Sequence, residues 1–251
     1  MIVKNQREIE KMRTVCGMTA KVRSRLLQMV EPGMMTSEIE AEALRMIEGY
    51  KARSAFKGYH GFPGQICISI EDEVVHGIPG GRIIQSGDVV SIDVGVVFDG
   101  FIGDCAGSVI AGDGQEKAKR KLLDATQRAL DAGIEKAVVG CRVGDISHAV
   151  QETAEAAGYS VVREFVGHGI GKDMHEDPQI PNFGSAGSGP KLKCGMTLAI
   201  EPMINMGGHE VEVMDDKWTV RTRDRQPSAH FENTVLVGNS EAEILTNPDY
   251  A

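Results

Sequence analysis

Apolar residues recur at helical spacing through Ile9, Met12, Val15, Val22, Leu26 and Val30, behind an Asn5 with Glu8 three residues on, the spacing of a capping box. Pro32-Gly33 stops this helix. Ser37 with Glu40 opens a second one through Ile39, Leu44 and Ile47, and Gly49-Tyr50 ends it. The period then shortens to that of strands. A Gly- and aromatic-rich loop over residues 56–64 leads into β-type runs at 66–70 and 74–76, and alternation continues through residues 91–105. Helical spacing returns after Gly112 through Leu122, Leu123, Ala129, Leu130 and Ile134, and a shorter helix follows over 145–157. Strand-like runs then occupy 160–165, 197–204, 211–214, 218–222 and 229–237, with a Gly/Pro/Ser loop over 181–193. The pattern predicts an α+β protein whose second half is richer in antiparallel β-structure. A faint repeat crosses it: a Gly six residues before an Ile (Gly33 and Ile39, Gly140 and Ile146), then a Gly-Tyr stop (Gly49-Tyr50, Gly158-Tyr159). It fits two related halves, roughly 1–112 and 113–251, facing one another in a single domain over 1–251.

The run 91–105 carries the first sign of chemistry. Asp99-Gly100 lies between strand-like segments and suits a two-residue hairpin turn, where positive φ is required. That turn sets Phe98 opposite Phe101 and Asp93 opposite Ala106, so Asp104 becomes a diagonal neighbour of Asp93 on the same face. Such neighbours are roughly 7–8 Å apart at the backbone, close enough for two carboxylates to converge on a shared cation. A one-residue slip would place them on opposite faces.

Composition narrows the class. At 251 residues with 41% hydrophobic content the chain can bury a substantial core. A formal charge of −9 and a pI near 5.3 argue against a general nucleic-acid or anionic-membrane surface. The start, Met-Ile-Val-Lys-Asn-Gln-Arg-Glu, lacks an apolar leader, and no run of 18 apolar residues occurs, so a soluble, non-exported protein is expected. Five scattered cysteines with no Cys-x-x-Cys give neither a disulfide framework nor a zinc ribbon, which fits a reducing cytoplasm.

Three more groups stand out. His168 is enclosed by glycines in Gly167-His168-Gly169-Ile170-Gly171, glycines that suggest backbone lying close to something at a site. Glu201 follows Thr197-Leu198-Ala199-Ile200, and Glu232 lies between Phe231 and Val235-Leu236-Val237, with His230, Glu232 and Thr234 sharing one strand face. A charged, unpaired Glu inside an apolar strand costs several kcal/mol, so both call for a cation or a proton. Four carboxylates with one imidazole suit a dinuclear centre of ions about 3.5–4 Å apart. The donor set favours Mn, Fe, Co or Zn over Cu(I).

Ser-Ile-Asp-Val, Gly-Asp, Gly-His-Gly-Ile-Gly, Ile-Glu-Pro and Phe-Glu-Asn-Thr, carrying Asp93, Asp104, His168, Glu201 and Glu232 in that order, resemble the type I methionine aminopeptidases, family M24 enzymes of the pita-bread fold. The likeness runs over essentially the whole chain. It implies that Asp93 chelates one of two divalent metals, that Asp104 and Glu232 bridge both, and that His168 and Glu201 complete the other. It further implies removal of the initiator methionine before a small second residue, with a bridging hydroxide attacking the scissile carbonyl and Glu201 carrying the proton to the leaving amine. His76 and His175 match histidines that hydrogen-bond the scissile amide and the tetrahedral oxygen. Tyr59, Phe62, Cys67, His76 and Trp218 match the methionine pocket. The partners implied are N-terminal methionine peptides and nascent chains, without nucleic acid or membrane; a monomer is expected, and a transient ribosome contact is left open. The chain departs from the family pattern at Phe56, where smaller residues are common, at Phe62, where Tyr is common, and at Cys105, where Thr is usual. Two rivals are the X-Pro peptidases and prolidases, which usually carry an extra N-terminal domain, and a related binding protein without catalysis.

Overall fold

The computed structural model describes residues 2–113 and 116–250, so the expected domain ends, residues 1 and 251, lie outside it. The first helix, α1 (Gln6–Met29), starts as the sequence indicates: the Asn5 side chain accepts from the Glu8 N–H, and the Glu8 carboxylate accepts from the Asn5 N–H, each at 3.1 Å. The second, α2 (Thr36–Gly49), begins earlier than the Ser37/Glu40 spacing implies. Its cap is Met35, whose N–H donates to Glu38 at 2.7 Å, while the Thr36 and Ser37 N–H groups donate to the carbonyls of Arg82 and Gly80. A neighbouring loop therefore satisfies the free amides that a side-chain cap usually serves. Glu40 is diverted to the Gln65 N–H at 2.6 Å.

Strands β1 (Arg53–Ser54), β2 (Cys67–Ile70), β3 (Glu73–Val75), β4 (Val89–Phe98) and β5 (Phe101–Ile110) follow. In the first sheet β5 pairs along one edge of β4, and β1 and β2 share the other. The hairpin register matches the expectation: Phe98 opposes Phe101, Asp93 opposes Ala106, and both turn residues have positive φ, Asp99 at 46° and Gly100 at 78°. Helix α1 lies on β5. A Cβ on Gly103 would sit 2.9 Å from Cys16 Cα, so this contact requires glycine.

Helices α3 (Lys117–Glu135) and α4 (Val143–Ala156) pack on each other, followed by β6 (Ser160–Val161), β7 (Val166–Gly169), β8 (Glu176–Pro181), β9 (Thr197–Ile200), β10 (Met203–Asn205), β11 (Val211–Val213), β12 (Val220–Thr222), β13 (Ser228–His230), β14 (Asn233–Leu236) and β15 (Glu243–Ile244). A five-stranded sheet runs β15-β14-β9-β7-β8, and two three-stranded sheets run β13-β10-β6 and β11-β12-β3. The runs at 197–204 and 229–237 are each expected as one strand, and each breaks into two. Pro202 supplies no N–H to a ladder, and the partners change sheet: β9 pairs with β14, whereas β10 pairs with β13. The run at 160–165 shortens to a two-residue strand, and β8 appears where the pattern gave no strand. The largest apolar cluster joins α1 and α2 to β2 and β4; others lie beneath α3 and α4. No described helix is long and apolar enough to cross a membrane.

Candidate metal centre and active site

The two strand breaks face each other. Ile200 opposes Asn233 on one side of them and Met203 opposes His230 on the other, which leaves Glu201 and Glu232 at matching kinks. The Glu232 N–H is held by the Ala106 carbonyl at 3.1 Å, so this kink is tied to the β4–β5 hairpin that carries Asp93 and Asp104. The parity expected for His230, Glu232 and Thr234 is therefore interrupted. His230 and Glu232 line one cavity, while the Thr234 hydroxyl donates to the Asp104 carbonyl at 2.8 Å.

His168 joins them from β7. Its surrounding glycines answer to neighbouring backbone: a Cβ on Gly167 would meet the Ala199 carbonyl at 2.4 Å, and one on Gly169 the Asp177 carbonyl at 2.4 Å. Asp93, Asp104, His168, Glu201 and Glu232, from three strands and two kinks, thus border one cavity of about 280 Å³. Asp104, His168 and Glu232 each present a ligand atom within 4.8 Å of the others.

The donor chemistry fits a divalent cation. His168 Nδ1 lies 2.9 Å from the Gly169 carbonyl, which only accepts, so Nδ1 carries the hydrogen and Nε2 a bare lone pair. That lone pair faces Glu201 Oε1 at 3.5 Å and Asp104 Oδ2 at 4.0 Å. Asp93 Oδ1, Asp104 Oδ1 and Glu232 Oε1 are buried without a hydrogen-bond partner. Acceptors converging on acceptors repel one another unless protons or a cation stand between them.

Burial dominates the titration of the whole cluster. It pushes Asp104, Glu201 and Glu232 well above the usual carboxylate range, and Asp93 to about 7 despite hydrogen bonds from Asp104 and the Val94 N–H. Burial also depresses His168 and His76 to about 4 and His230 to about 3, so the imidazoles are neutral at pH 7. Among the described residues no Lys or Arg lines this cavity. A metal is left as the group able to balance four ionised acids.

The remaining sequence candidates meet at the same cavity. His175 Nδ1 is 2.6 Å from the Tyr59 hydroxyl, and its ring stands edge-on to His168 at 4.4 Å. His76, at φ 59°, packs edge-on against Phe165 at 5.5 Å and Trp218 at 6.4 Å. Phe62 bridges Trp218 at 5.2 Å and Phe56 at 6.5 Å, each contact edge-to-face. Cys67 opposes Asp93 across β2 and β4, and burial raises its thiol far above neutrality, which leaves it an apolar lining group.

A model of metallopeptidase family M24 matches residues 10–239. The methionine aminopeptidase of Clostridium acetobutylicum is 46% identical over 98% of both chains, and methionine aminopeptidase 1 of Bacillus subtilis is 44% identical over 98% of this chain and 99% of its own. The chain belongs to the methionine aminopeptidases of family M24. A crystal structure of methionine aminopeptidase from Thermotoga maritima superposes with a TM-score of 0.96 at 41% identity, covering 98% of this chain and 99% of that one. The pita-bread fold of the M24 enzymes is thereby shared over almost the full length, and use of a divalent metal follows from the family and the buried Asp/His/Glu cluster. Prolidase from Pyrococcus furiosus shares the fold at a TM-score of 0.78, but at 22% identity and over only 65% of its own chain.

This M24 chain also brings to the cavity residues outside the sequence-derived set: Phe165, Met174, Met203, His60 and His230. His230 left a signal in the sequence, two residues ahead of Glu232 in an otherwise apolar run. The others left none, because they reach the site only through tertiary packing. The Phe56 ring occupies the space over Gly95, where a Cβ would come within 2.5 Å of Cε1.

Proposed function

We propose that this chain removes the N-terminal methionine from peptides and nascent chains whose second residue is small, with two divalent ions of Co, Mn, Fe or Zn held by Asp93, Asp104, His168, Glu201 and Glu232. The observation that carries the metal centre is the convergence of the bare His168 Nε2 with buried, unpartnered carboxylate oxygens. The substrate reading rests on the full-length likeness to methionine aminopeptidases. Asp93 is read as chelating one ion, Asp104 and Glu232 as shared by both, and His168 and Glu201 as completing the other. Bound there, such ions supply Lewis-acid polarisation of a carbonyl and a water that ionises near neutral pH.

The chain's own groups do the rest. Glu201 is assigned as proton carrier to the leaving amine. His76 and His175, neutral at pH 7, are assigned as hydrogen-bond partners of the scissile amide and the developing oxyanion, with Tyr59 fixing the His175 ring. Phe62, Trp218, Cys67, Tyr59 and His76 are assigned to the methionine side chain, whose thioether gains about 0.3–1.5 kcal/mol from ring contacts. The domain reading stands beside this: one catalytic unit over 1–251 with pseudo-symmetric halves near 1–112 and 113–251, supported by the helix pairs α1–α2 and α3–α4 ahead of their strands. A monomer acting in the cytoplasm is part of the same proposal, and five free cysteines support the reducing compartment.

Met-Ala and Met-Gly peptides are expected to turn over after addition of Mn or Co, Met-Leu peptides poorly, and Glu232→Ala to abolish turnover. Inactivity of the metal-loaded chain favours the binding-protein rival, and cleavage confined to X-Pro bonds favours the prolidase branch. Mass spectrometry of protein purified without added metal identifies the ions carried.

A further inference from the structure

His230 is a buried cavity group to which the proposed reaction gives no task. Its backbone is pinned to β5: the His230 N–H donates to Ser108 Oγ at 3.0 Å, and the Ser108 hydroxyl donates to the His230 carbonyl at 2.9 Å. The residue is 2% exposed, and Nε2 has no hydrogen-bond partner. That nitrogen faces Glu201 Oε2 at 3.8 Å. Glu201 therefore has an imidazole at each oxygen, with His168 Nε2 at 3.5 Å from Oε1. The two imidazoles differ in kind. His168 is committed by the Gly169 carbonyl to present a lone pair, whereas His230 Nε2 has no hydrogen-bond partner and faces the carboxylate.

We propose that His230 is a positioning residue for Glu201, donating a hydrogen bond from Nε2–H to Oε2 and thereby holding the carboxylate in the orientation that metal binding and proton transfer require. This rests on the metal-centre reading above. Glu201 sits at a strand kink rather than inside a ladder, so a shift of under about 1 Å brings Oε2 to hydrogen-bonding distance, about 3 Å. Carboxylate ligands are commonly oriented in this way by a second hydrogen bond, whose loss costs about 10–100-fold in metal affinity or activity.

The test compares His230→Gln, which keeps an N–H donor, with His230→Leu, which keeps bulk alone. Mn(II) affinity by calorimetry, kcat and KM on a Met-Ala peptide, and the visible spectrum of the Co(II)-loaded protein are measured for both. The expected result is a loss of about 10–100-fold in Mn(II) affinity and in kcat for His230→Leu with KM little changed, and near-recovery in His230→Gln with an unaltered Co(II) spectrum. Equal losses in both variants with shifted Co(II) bands overturn the proposal in favour of direct ligation. A folded His230→Leu with wild-type affinity and kcat overturns it in favour of simple packing. If the wild type binds Mn(II) but leaves Met-Ala intact, the substrate reading fails, and the affinity comparison still decides the role of His230.

Discussion

Tyr59 and His175 show how much of the site hangs on single atoms. Removing the Tyr59 hydroxyl in Tyr59→Phe leaves the ring in place and breaks the 2.6 Å bond to His175 Nδ1. The expected loss is about 1 kcal/mol, or roughly fivefold in kcat/KM, with metal content unchanged; an unaltered kcat/KM rules out a positioning role for Tyr59. The titration of the acids makes a second prediction. Raised carboxylate pKa values mean that the folded, metal-free chain binds more protons than the unfolded one above about pH 4, so these groups lose their stabilising effect as pH rises through their folded values, about 7 for Asp93 and well above the usual carboxylate range for its neighbours. The depressed histidines act in the opposite sense, but only below about pH 6.5. The melting temperature of chelator-treated protein is thus expected to fall from about pH 6.5 to about pH 8, above the range in which the histidines oppose it, and added Mn(II) to remove most of that slope. A flat profile without metal contradicts the picture of mutually repelling, buried carboxylates.

At the scale of elements, the β4–β5 hairpin was legible because a two-residue turn leaves one register open, and that register alone determined that Asp93 and Asp104 share a face. Local chemistry misplaced the start of α2, since its free amides bond to Gly80 and Arg82, residues that no nearby spacing reveals. The kinks at Glu201 and Glu232 were half legible. Pro202 marks one, whereas the other, at Phe231-Glu232, exists because β13 and β14 follow their partners into different sheets. Both glutamates were identified from their apolar setting, while the reason they point into the cavity was not. The Gly95–Phe56 contact offers a prediction at this scale. Gly95 lies opposite Asp104, so Gly95→Ala pushes a methyl into the Phe56 ring and is expected to cost about 1–3 kcal/mol in denaturant melts. Gly95→Ala combined with Phe56→Ala is expected to lose less than the sum of the single changes. Additive losses show that the ring yields without resistance.

Across the whole molecule, one ion pair ties the start of the chain to the wall of the site. Lys4 Nζ and Glu176 Oε2 lie 2.5 Å apart with both side chains 3% exposed, the Lys4 N–H donates to the Gly195 carbonyl at 2.8 Å, and Glu176 follows His175 directly. Lys4→Met strands a buried carboxylate and is expected to cost about 3–5 kcal/mol, on the order of a 10 °C fall in melting temperature. The Lys4→Met, Glu176→Leu double variant is expected to regain most of it; a double variant as unstable as the single one shows that the pair stabilises through more than mutual neutralisation. The same reach has a meaning in time. Synthesis delivers α1 and the hairpin first, but the acids at 93 and 104 wait for His168, Glu201 and finally Glu232, and Lys4 waits for Glu176 and Gly195. An early fragment holds two carboxylates with nothing to close over them. A protein read as trimming chains while they emerge therefore gains its own catalytic cavity only after Glu232 has been made.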